Sequence, residues 1–402
     1  MNRRQNEGTV KLCVLSHMYP NVMQPTKGIF VRQHVQALAV ESTAVTVVSP
    51  VPWVPAWLPI LRGHWRDLRA VPLSETTAEG TVYYPRFFTL PRALWRAHEG
   101  PSIARAGAPL LDRERFDLIH AHTALPDGDA ARRLARRHDI PFVCTVHGYD
   151  FVWLRQEGRV REAILRTFRE AAHVICVSER VRRACLEHDP RPDHFSVIHH
   201  GIAVPDQISS AERVGSGRTI LSAGNLIPQK RFAELVEAFS MVHEGMPDAQ
   251  LVIVGAGPEE PRLATLASQL GVDQCIRLLG RIPHAALLSL YGEADVFCLA
   301  SEDEGFGIVY LEAMAHGVPV IGSAGEGIAD VIVNGENGLL VPPGDKQAIA
   351  AALARLLRDG ALRSRLAQAG RVTASLSTWA RNAEQHVALY RRVLGLKDDS
   401  PI

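Results

Sequence analysis

Two glutamates eight residues apart, Glu304 and Glu312, frame the run Ser301-Glu302-Asp303-Glu304-Gly305-Phe306-Gly307-Ile308-Val309-Tyr310-Leu311-Glu312-Ala313-Met314. Glu304 closes a polar loop, whereas Glu312 falls among Val309, Tyr310, Leu311, Ala313 and Met314. The pattern predicts a helix from near Phe306 to Gly317, with Glu304 just before its start. Free backbone N–H groups at a helix start favour an anion, so a phosphate-bearing ligand suits that position. A carboxylate in apolar surroundings needs a partner, because an unpaired buried charge is costly, and ribose hydroxyls can supply one. A helix-start glutamate followed by a solvated one satisfies the same spacing, since charged helix residues are usually exposed.

Short apolar runs alternate with longer helical patterns along the chain. Strands are expected over residues 10–15, 44–48, 118–120, 142–146 and 174–177, with a helix over 30–39. The rhythm restarts with strands over 219–222, 251–254, 276–278, 296–299 and 318–321. Strands alternating with helices imply parallel sheets with helices on both faces, and two such series imply two doubly wound α/β domains. A polar, Gly- and Pro-containing seam separates them, which places the boundaries at 1–203 for the first domain, 204–217 for the linker and 218–378 for the second. Ligands of open α/β sheets bind beyond the carboxyl ends of strands. His147, Gly224, Gly255 and Glu304 each follow such an end.

Several of these segments carry a resemblance when taken together. Glu304 to Glu312 with Glu-Gly-Phe-Gly at its head resembles the E-x7-E motif of the retaining glycosyltransferases of family 4. Thr145-Val146-His147-Gly148-Tyr149-Asp150, Gly224-Asn225-Leu226 with Lys230, Leu251 to Glu259, and Leu339 to Asp345 follow in that family's order and spacing. The resemblance runs from about Leu12 to Ala380, and Tyr19-Pro20 with Gly28 to Gln33 looks most like the branch that includes teichuronic acid glycosyltransferases. It implies a GT-B fold, two Rossmann-like domains facing each other across a cleft. The pattern over 379–394 corresponds to the helix that crosses back to the first domain, which assigns 379–402 to that role.

The resemblance also implies roles. Lys230 holds the diphosphate of a nucleotide-sugar donor, His147 contacts the donor sugar near the reacting centre, and Glu304 binds its hydroxyls; these three are the expected catalytic residues. The amides of Phe306, Gly307 and Ile308 meet sugar or phosphate oxygens, and Glu312 binds the ribose. Gly28, Gly224 and Gly255 allow close backbone approach. Asp150 is the expected acceptor contact. The family's arginine position is occupied by Asn225, which can hydrogen-bond to the donor but carries no charge, so Arg281, counted with it among the donor-binding residues, or Arg231 is the nearby cation expected to compensate. Positive side chains and helix N-termini stabilise a departing diphosphate without a metal, so neither metal nor cofactor is expected, and the nucleotide-sugar is a co-substrate.

The function expected is retaining transfer of a hexose-type unit, from a UDP-sugar in preference to a GDP-sugar, to a glycan or lipid-linked acceptor in cell-surface polysaccharide assembly. A nucleotide-sugar epimerase on the same architecture, which needs no acceptor, and a non-catalytic nucleotide-sugar binder are the alternatives.

Other features set limits. Gly255-Ala256-Gly257 has Glu260 at the third position of a dinucleotide fingerprint, so the match is partial. Asp127-Gly128-Asp129 has metal-binding spacing but precedes a helical pattern with Arg132, Arg133, Arg136 and Arg137, which favours a helix cap. His120, His122, His199 and His200 fall in pairs without cysteine or carboxylate partners and make no zinc case. Six cysteines, Cys13, Cys144, Cys176, Cys185, Cys275 and Cys298, form no Cys-x-x-Cys pair, which argues for a reducing compartment.

The 402-residue chain has a net charge of +1, yet residues 1–200 hold 27 Lys and Arg against 20 Asp and Glu. That basic half suits an anionic membrane surface or a phosphorylated acceptor, as it also suits an ordinary arginine-rich surface. No aromatic-basic module for nucleic acid accompanies it. Trp53, Trp57, Trp65 and Trp95 gather in one Pro- and Arg-containing stretch that fits a membrane interface, an acceptor-side lid or a packed loop. The apolar run 45–61 is broken by four prolines and is no spanning helix, so a cytoplasmic protein, at most peripheral on the membrane's inner face, is expected.

Overall fold

A strand buried at every position needs cover on both faces, and such strands are found in parallel sheets flanked by helices. Leu118–His122 and Phe142–Val146 have that pattern. The computed structural model describes residues 9–41, 43–53, 67–89, 96–205 and 218–396. The chain divides into two units, Met1–His199 with Trp379–Ile402, and His200–Thr378. Of the linker stretch, residues 206–217 lie outside the described residues.

The first unit contains β1 (Val10–Leu15), β2 (Thr43–Val48), β3 (Val51–Trp53), β4 (Ser74–Thr77), β5 (Gly80–Tyr83), β6 (Arg86–Phe88), β7 (Leu118–His122), β8 (Phe142–Val146), β9 (His173–Cys176) and β10 (Phe195–Val197). Eight of them form one sheet in the order β10-β9-β8-β7-β1-β2-β5-β4, and β3 pairs with β6 separately. All pairs in the large sheet are parallel except β4 with β5. The chain leaves β1 towards β2 and returns on the other side at β7, so the order reverses between β1 and β7. Leu12 and Val14 of β1 pack into a core with Val31, Val35 and Leu38 of the first helix, Ile29–Val40, and with Ala383, Leu389 and Tyr390 of the C-terminal helix, Trp379–Val393.

The second unit repeats the logic with β11 (Thr219–Ala223), β12 (Gln250–Val254), β13 (Ile276–Leu278), β14 (Val296–Cys298), β15 (Val320–Ser323) and β16 (Leu339–Val341). They form a wholly parallel sheet in the order β13-β12-β11-β14-β15-β16, with the reversal between β11 and β14.

Most expected elements are present, with informative shifts at their ends. The strand expected from residue 318 begins at Val320, because Pro319 has no N–H to give the ladder; its carbonyl accepts instead from Phe297. The strand expected over 118–120 runs on to His122, whose partner in register is Thr145. The Glu312 helix is Ile308–Ala315, shorter at both ends than expected. Gly307 has φ 93° at its start and Gly317 φ 68° just after it, both in the left-handed region that favours glycine. The short strands β3 to β6 have no counterpart in the sequence expectations. Trp53 is exposed at the end of β3, while Trp57, Trp65 and Trp95 lie outside the described residues. Among the described residues no helix is long and apolar enough to cross a membrane.

Candidate active site

In the second unit the site grows from the two strand ends that flank the reversal. After β11 the chain passes Gly224 and Asn225 into a single tight turn, Pro228–Lys230. After β14 it passes Ser301 to Gly307 and enters the helix Ile308–Ala315. The two loops meet: Lys230 forms an ion pair with Glu304, and Ser301 Oγ donates to the same carboxylate at 3.3 Å. A second tie binds them, since the Glu302 amide donates to the Gln229 carbonyl at 2.8 Å and Arg231 pairs with both Glu302 and Glu234. Arg231 therefore carries two internal carboxylates, which raise its pKa. Asn225 is exposed beside Gly224, and Arg281 is exposed after β13.

Glycines set how closely these segments approach. The Lys230 stem runs past Gly224, whose absent Cβ would lie 3.8 Å from Lys230 Cδ and Cε. Gly255 (φ 140°) presses on the Gly224 backbone, where a Cβ would overlap the Gly224 carbonyl. Glu326, buried and unforeseen from the sequence, accepts from the Glu304 amide at 2.8 Å, and Gly327 beside it packs on the Gly305 and Phe306 backbone. The loop is thus held on both flanks, with Phe306 buried and Gly307 half-buried at the helix start. The first N–H groups of that helix have no partner within it.

Glu312 has its partner inside the protein. His284 Nε2 donates to it at 2.7 Å, the Tyr291 hydroxyl lies 3.3 Å from its other oxygen and shares its one proton with the Val309 carbonyl at 3.2 Å, and the hydrogen bond to Glu312 raises the His284 pKa above 6.5. The expectation that a carboxylate in this run must be paired is met, but by a histidine and a tyrosine that no motif marks. Pro283 before His284 signals only a helix start.

In the first unit the corresponding reversal, between β1 and β7, gathers a second set. Gly28 (φ 55°) precedes the first helix, and a Cβ there would sit 2.9 Å from the Met18 carbonyl carbon. His147 follows β8; its Nε2 lies 3.2 Å from His122 Nδ1, and Phe30 packs on its ring at 5.0 Å. The Asp127 carboxylate accepts from the His17 amide at 3.0 Å and faces His17 Nδ1 at 2.9 Å, while Asp129 pairs with Arg132 and Arg133. The helix cap expected there is not made: Gly128 stands at that N-cap without a side-chain bond. Asp150 is fully buried and accepts from the amides of Ala124 (3.0 Å) and Leu125 (3.3 Å); burial lifts its pKa to about 7 against those two bonds. Its carboxylate holds the turn after β7 and presents no oxygen to solvent.

Two doubly wound sheets, each with a polar cluster where its strand order reverses, are the architecture of a GT-B protein. The description "Glycosyltransferase Family 4" matches residues 28–204, and "Glycosyl transferases group 1" matches residues 205–373. The chain is 35% identical over 287 residues to a phosphatidyl-myo-inositol mannosyltransferase of Mycobacterium leprae, covering 69% of this chain and 74% of that one. It is 29% identical over 361 residues to a teichuronic acid biosynthesis glycosyltransferase of Bacillus subtilis, covering 86% and 89%. Its fold matches sucrose-phosphate synthase from Thermosynechococcus elongatus with a TM-score of 0.80 at 24% identity, over 96% of this chain and 99% of that one. It matches Anabaena HepE in complex with UDP-glucose with a TM-score of 0.73 at 19% identity, over 95% and 100%. The chain belongs to glycosyltransferase family 4, and it is a glycosyltransferase with the GT-B fold.

Proposed function

We propose that this enzyme transfers a hexose-type unit, with retention of anomeric configuration, from a nucleotide-diphosphate sugar to a glycan or lipid-linked acceptor in cell-surface polysaccharide synthesis. The second domain (218–378) binds the donor, and the first domain (1–203) with the C-terminal helix segment (379–402) serves the acceptor. UDP is favoured as the nucleotide over GDP; the HepE complex with UDP-glucose supports this choice. The teichuronic acid relative supports the pathway class. The basic first half supports a cytoplasmic enzyme working at the inner membrane face.

The observation that carries the reading is the Lys230–Glu304 pair at the strand reversal, beside the start of the Glu312 helix. In this arrangement each charge neutralises the other until donor arrives. Donor binding separates them: Lys230 turns to the diphosphate and Glu304 to the sugar hydroxyls. Amides of Phe306, Gly307 and Ile308 meet phosphate or sugar oxygens, and Glu312, already oriented by His284 and Tyr291, takes the ribose. As the bond from the anomeric carbon to the phosphate oxygen breaks, Lys230 and the helix start stabilise the charge that develops there, without a metal. The acceptor oxygen bonds to the same face of the sugar and gives its proton to the departing phosphate oxygen. His147 orients the sugar by hydrogen bond. Asp150 acts on the acceptor side through the Ala124–Leu125 turn that it holds.

The test is thermal unfolding with UDP, GDP, ADP and CMP and their common sugar conjugates. A ligand at a hundred times its dissociation constant adds about 2.7 kcal/mol of stability. UDP or UDP-sugars should raise the midpoint, and Lys230→Ala and Glu312→Ala should abolish the rise. No rise with any nucleotide would overturn the donor assignment.

A further inference from the structure

A row of histidines lies behind His147. His120 and His122 stand two residues apart on β7 and so share one face of the sheet. His34 reaches them from the first helix, and His386 and Tyr390 from the C-terminal helix packed against it. His34, His120, His122 and His386 are all at most 3% exposed. His120 is satisfied on both nitrogens, by Thr145 Oγ1 at 2.7 Å and the Tyr390 hydroxyl at 2.6 Å. His386 Nδ1 donates to the Asn382 carbonyl at 2.8 Å. His122 is placed differently: Nδ1 faces His147 Nε2 at 3.2 Å, and Nε2 faces His34 Nδ1 at 3.3 Å.

We propose that His122 is a positioning residue for His147: the chain His34–His122–His147 holds His147 in a single tautomer and ring orientation. This rests on the reading above that His147 touches the donor sugar. A neutral imidazole has one N–H and one bare nitrogen. Among the groups facing His122 are His34 from the first helix, His120 from its own strand and His147 from the β8 exit. Burial pushes the His120 pKa well below 6.5 and that of His386 to about 4. In a neutral chain the hydrogen bonds run one way throughout. If His122 Nδ1–H donates, His147 Nε2 is bare and its Nδ1–H is offered to the ligand. If the sense is reversed, His147 offers a bare Nδ1. A mixture of tautomers would leave part of the enzyme presenting the wrong partner to a sugar hydroxyl.

The geometry also restrains the ring. The His122 and His147 planes are 11° from parallel with centroids 5.4 Å apart, and Phe30 packs on His147 at 55°. The chain further links the C-terminal helix to the site, because His386 packs on His34 with centroids 4.3 Å apart.

The experiment is long-range proton–nitrogen correlation NMR on the full-length enzyme labelled with 15N-histidine, with His147 assigned by its loss in His147→Gln. In wild type the two His147 nitrogens should show the well-separated shifts of one tautomer, and in His122→Leu they should move towards the average of an exchanging pair. His122→Leu should lower kcat by about 10- to 100-fold, the scale seen when the group orienting a metal-bound histidine is removed. The donor KM and the thermal midpoint gained on nucleotide binding should stay as in wild type. His122→Asn, whose amide falls near the Nδ1 position, should recover most of the rate and the separated shifts. Unchanged His147 shifts in His122→Leu would overturn the proposal, as would an Asn variant no better than Leu. If His147→Ala retains full kcat, the donor-contact reading of His147 fails, while the shifts still test the chain by themselves.

Discussion

Gly255→Ala puts the packing of the second unit to a quantitative test. Gly255 sits at the end of β12 with φ 140°, in backbone space that L side chains rarely enter. Holding alanine there costs about 1–3 kcal/mol. The new Cβ would also overlap the Gly224 carbonyl, standing 2.9 Å from its carbon where about 3.5–4.0 Å is comfortable. Relief requires the two strand ends to part by roughly half an ångström or more on that contact alone. Those ends are tied by Gly224 N–H to the Val254 carbonyl at 3.0 Å and Leu226 N–H to the Ala256 carbonyl at 3.1 Å, and Gly255 N–H also holds the Gly280 carbonyl beyond β13 at 2.9 Å. Losing two such bonds costs about 1–3 kcal/mol, so the whole substitution should cost about 2–6 kcal/mol. Gly271 in the same unit is the control, because its φ is 69° and nothing lies within 4 Å of a Cβ there. Gly271→Ala should cost only the left-handed backbone term, about 1–2 kcal/mol. Urea unfolding of both variants at one protein concentration reads the difference, following the transition of the second unit if two are resolved. Gly255→Ala should also lose most of the stabilisation by UDP, since Gly224 and Lys230 move with the displaced loop. If the two variants unfold within about 0.5 kcal/mol of each other, the close approach does not carry the cost assigned to it.

Two further predictions follow titratable groups. Burial lifts Asp150 from 3.8 to about 7, so between those pH values the native state keeps a proton that the unfolded chain has released. That contribution to stability is complete below pH 3.8 and is lost as pH rises through about 7. Asp150→Asn keeps an oxygen for the Ala124 and Leu125 amides and removes the titration, so the urea midpoint of the first unit should fall less between pH 4.5 and 7.5; an unchanged slope refutes it. The His284 pKa is raised by its bond to Glu312, so the pair stabilises fully below the ordinary histidine value and fades as pH climbs through the raised one. His284→Ala should remove that pH dependence from the thermal midpoint and weaken UDP binding, because Glu312 keeps only Tyr291 to orient it; equal UDP affinity in calorimetry would refute the positioning role.

What the sequence revealed and what it hid divide along one physical line. Strand periodicity and glycine punctuation are local, so β8 and β13 were legible to the residue, and the loops bearing Lys230 and Glu304 were placed at strand ends from pattern alone. The partners of buried polar groups are not local. Asp127 reads as a helix cap because its neighbours are arginines, yet its partner His17 lies 110 positions away. His34 and His122 are 88 positions apart, and only the return of the chain to β7 beside β1 brings them together. Glu312 shows the limit most clearly. Its apolar neighbours require that the charge be answered, and that inference needs no structure. Whether the answer comes from a ribose or from His284 cannot be decided from neighbours, because both meet the same electrostatic need. In the folded unit both oxygens are already engaged, so a ribose would join a preset carboxylate, and the ordering cost of aiming it falls on folding instead of on binding.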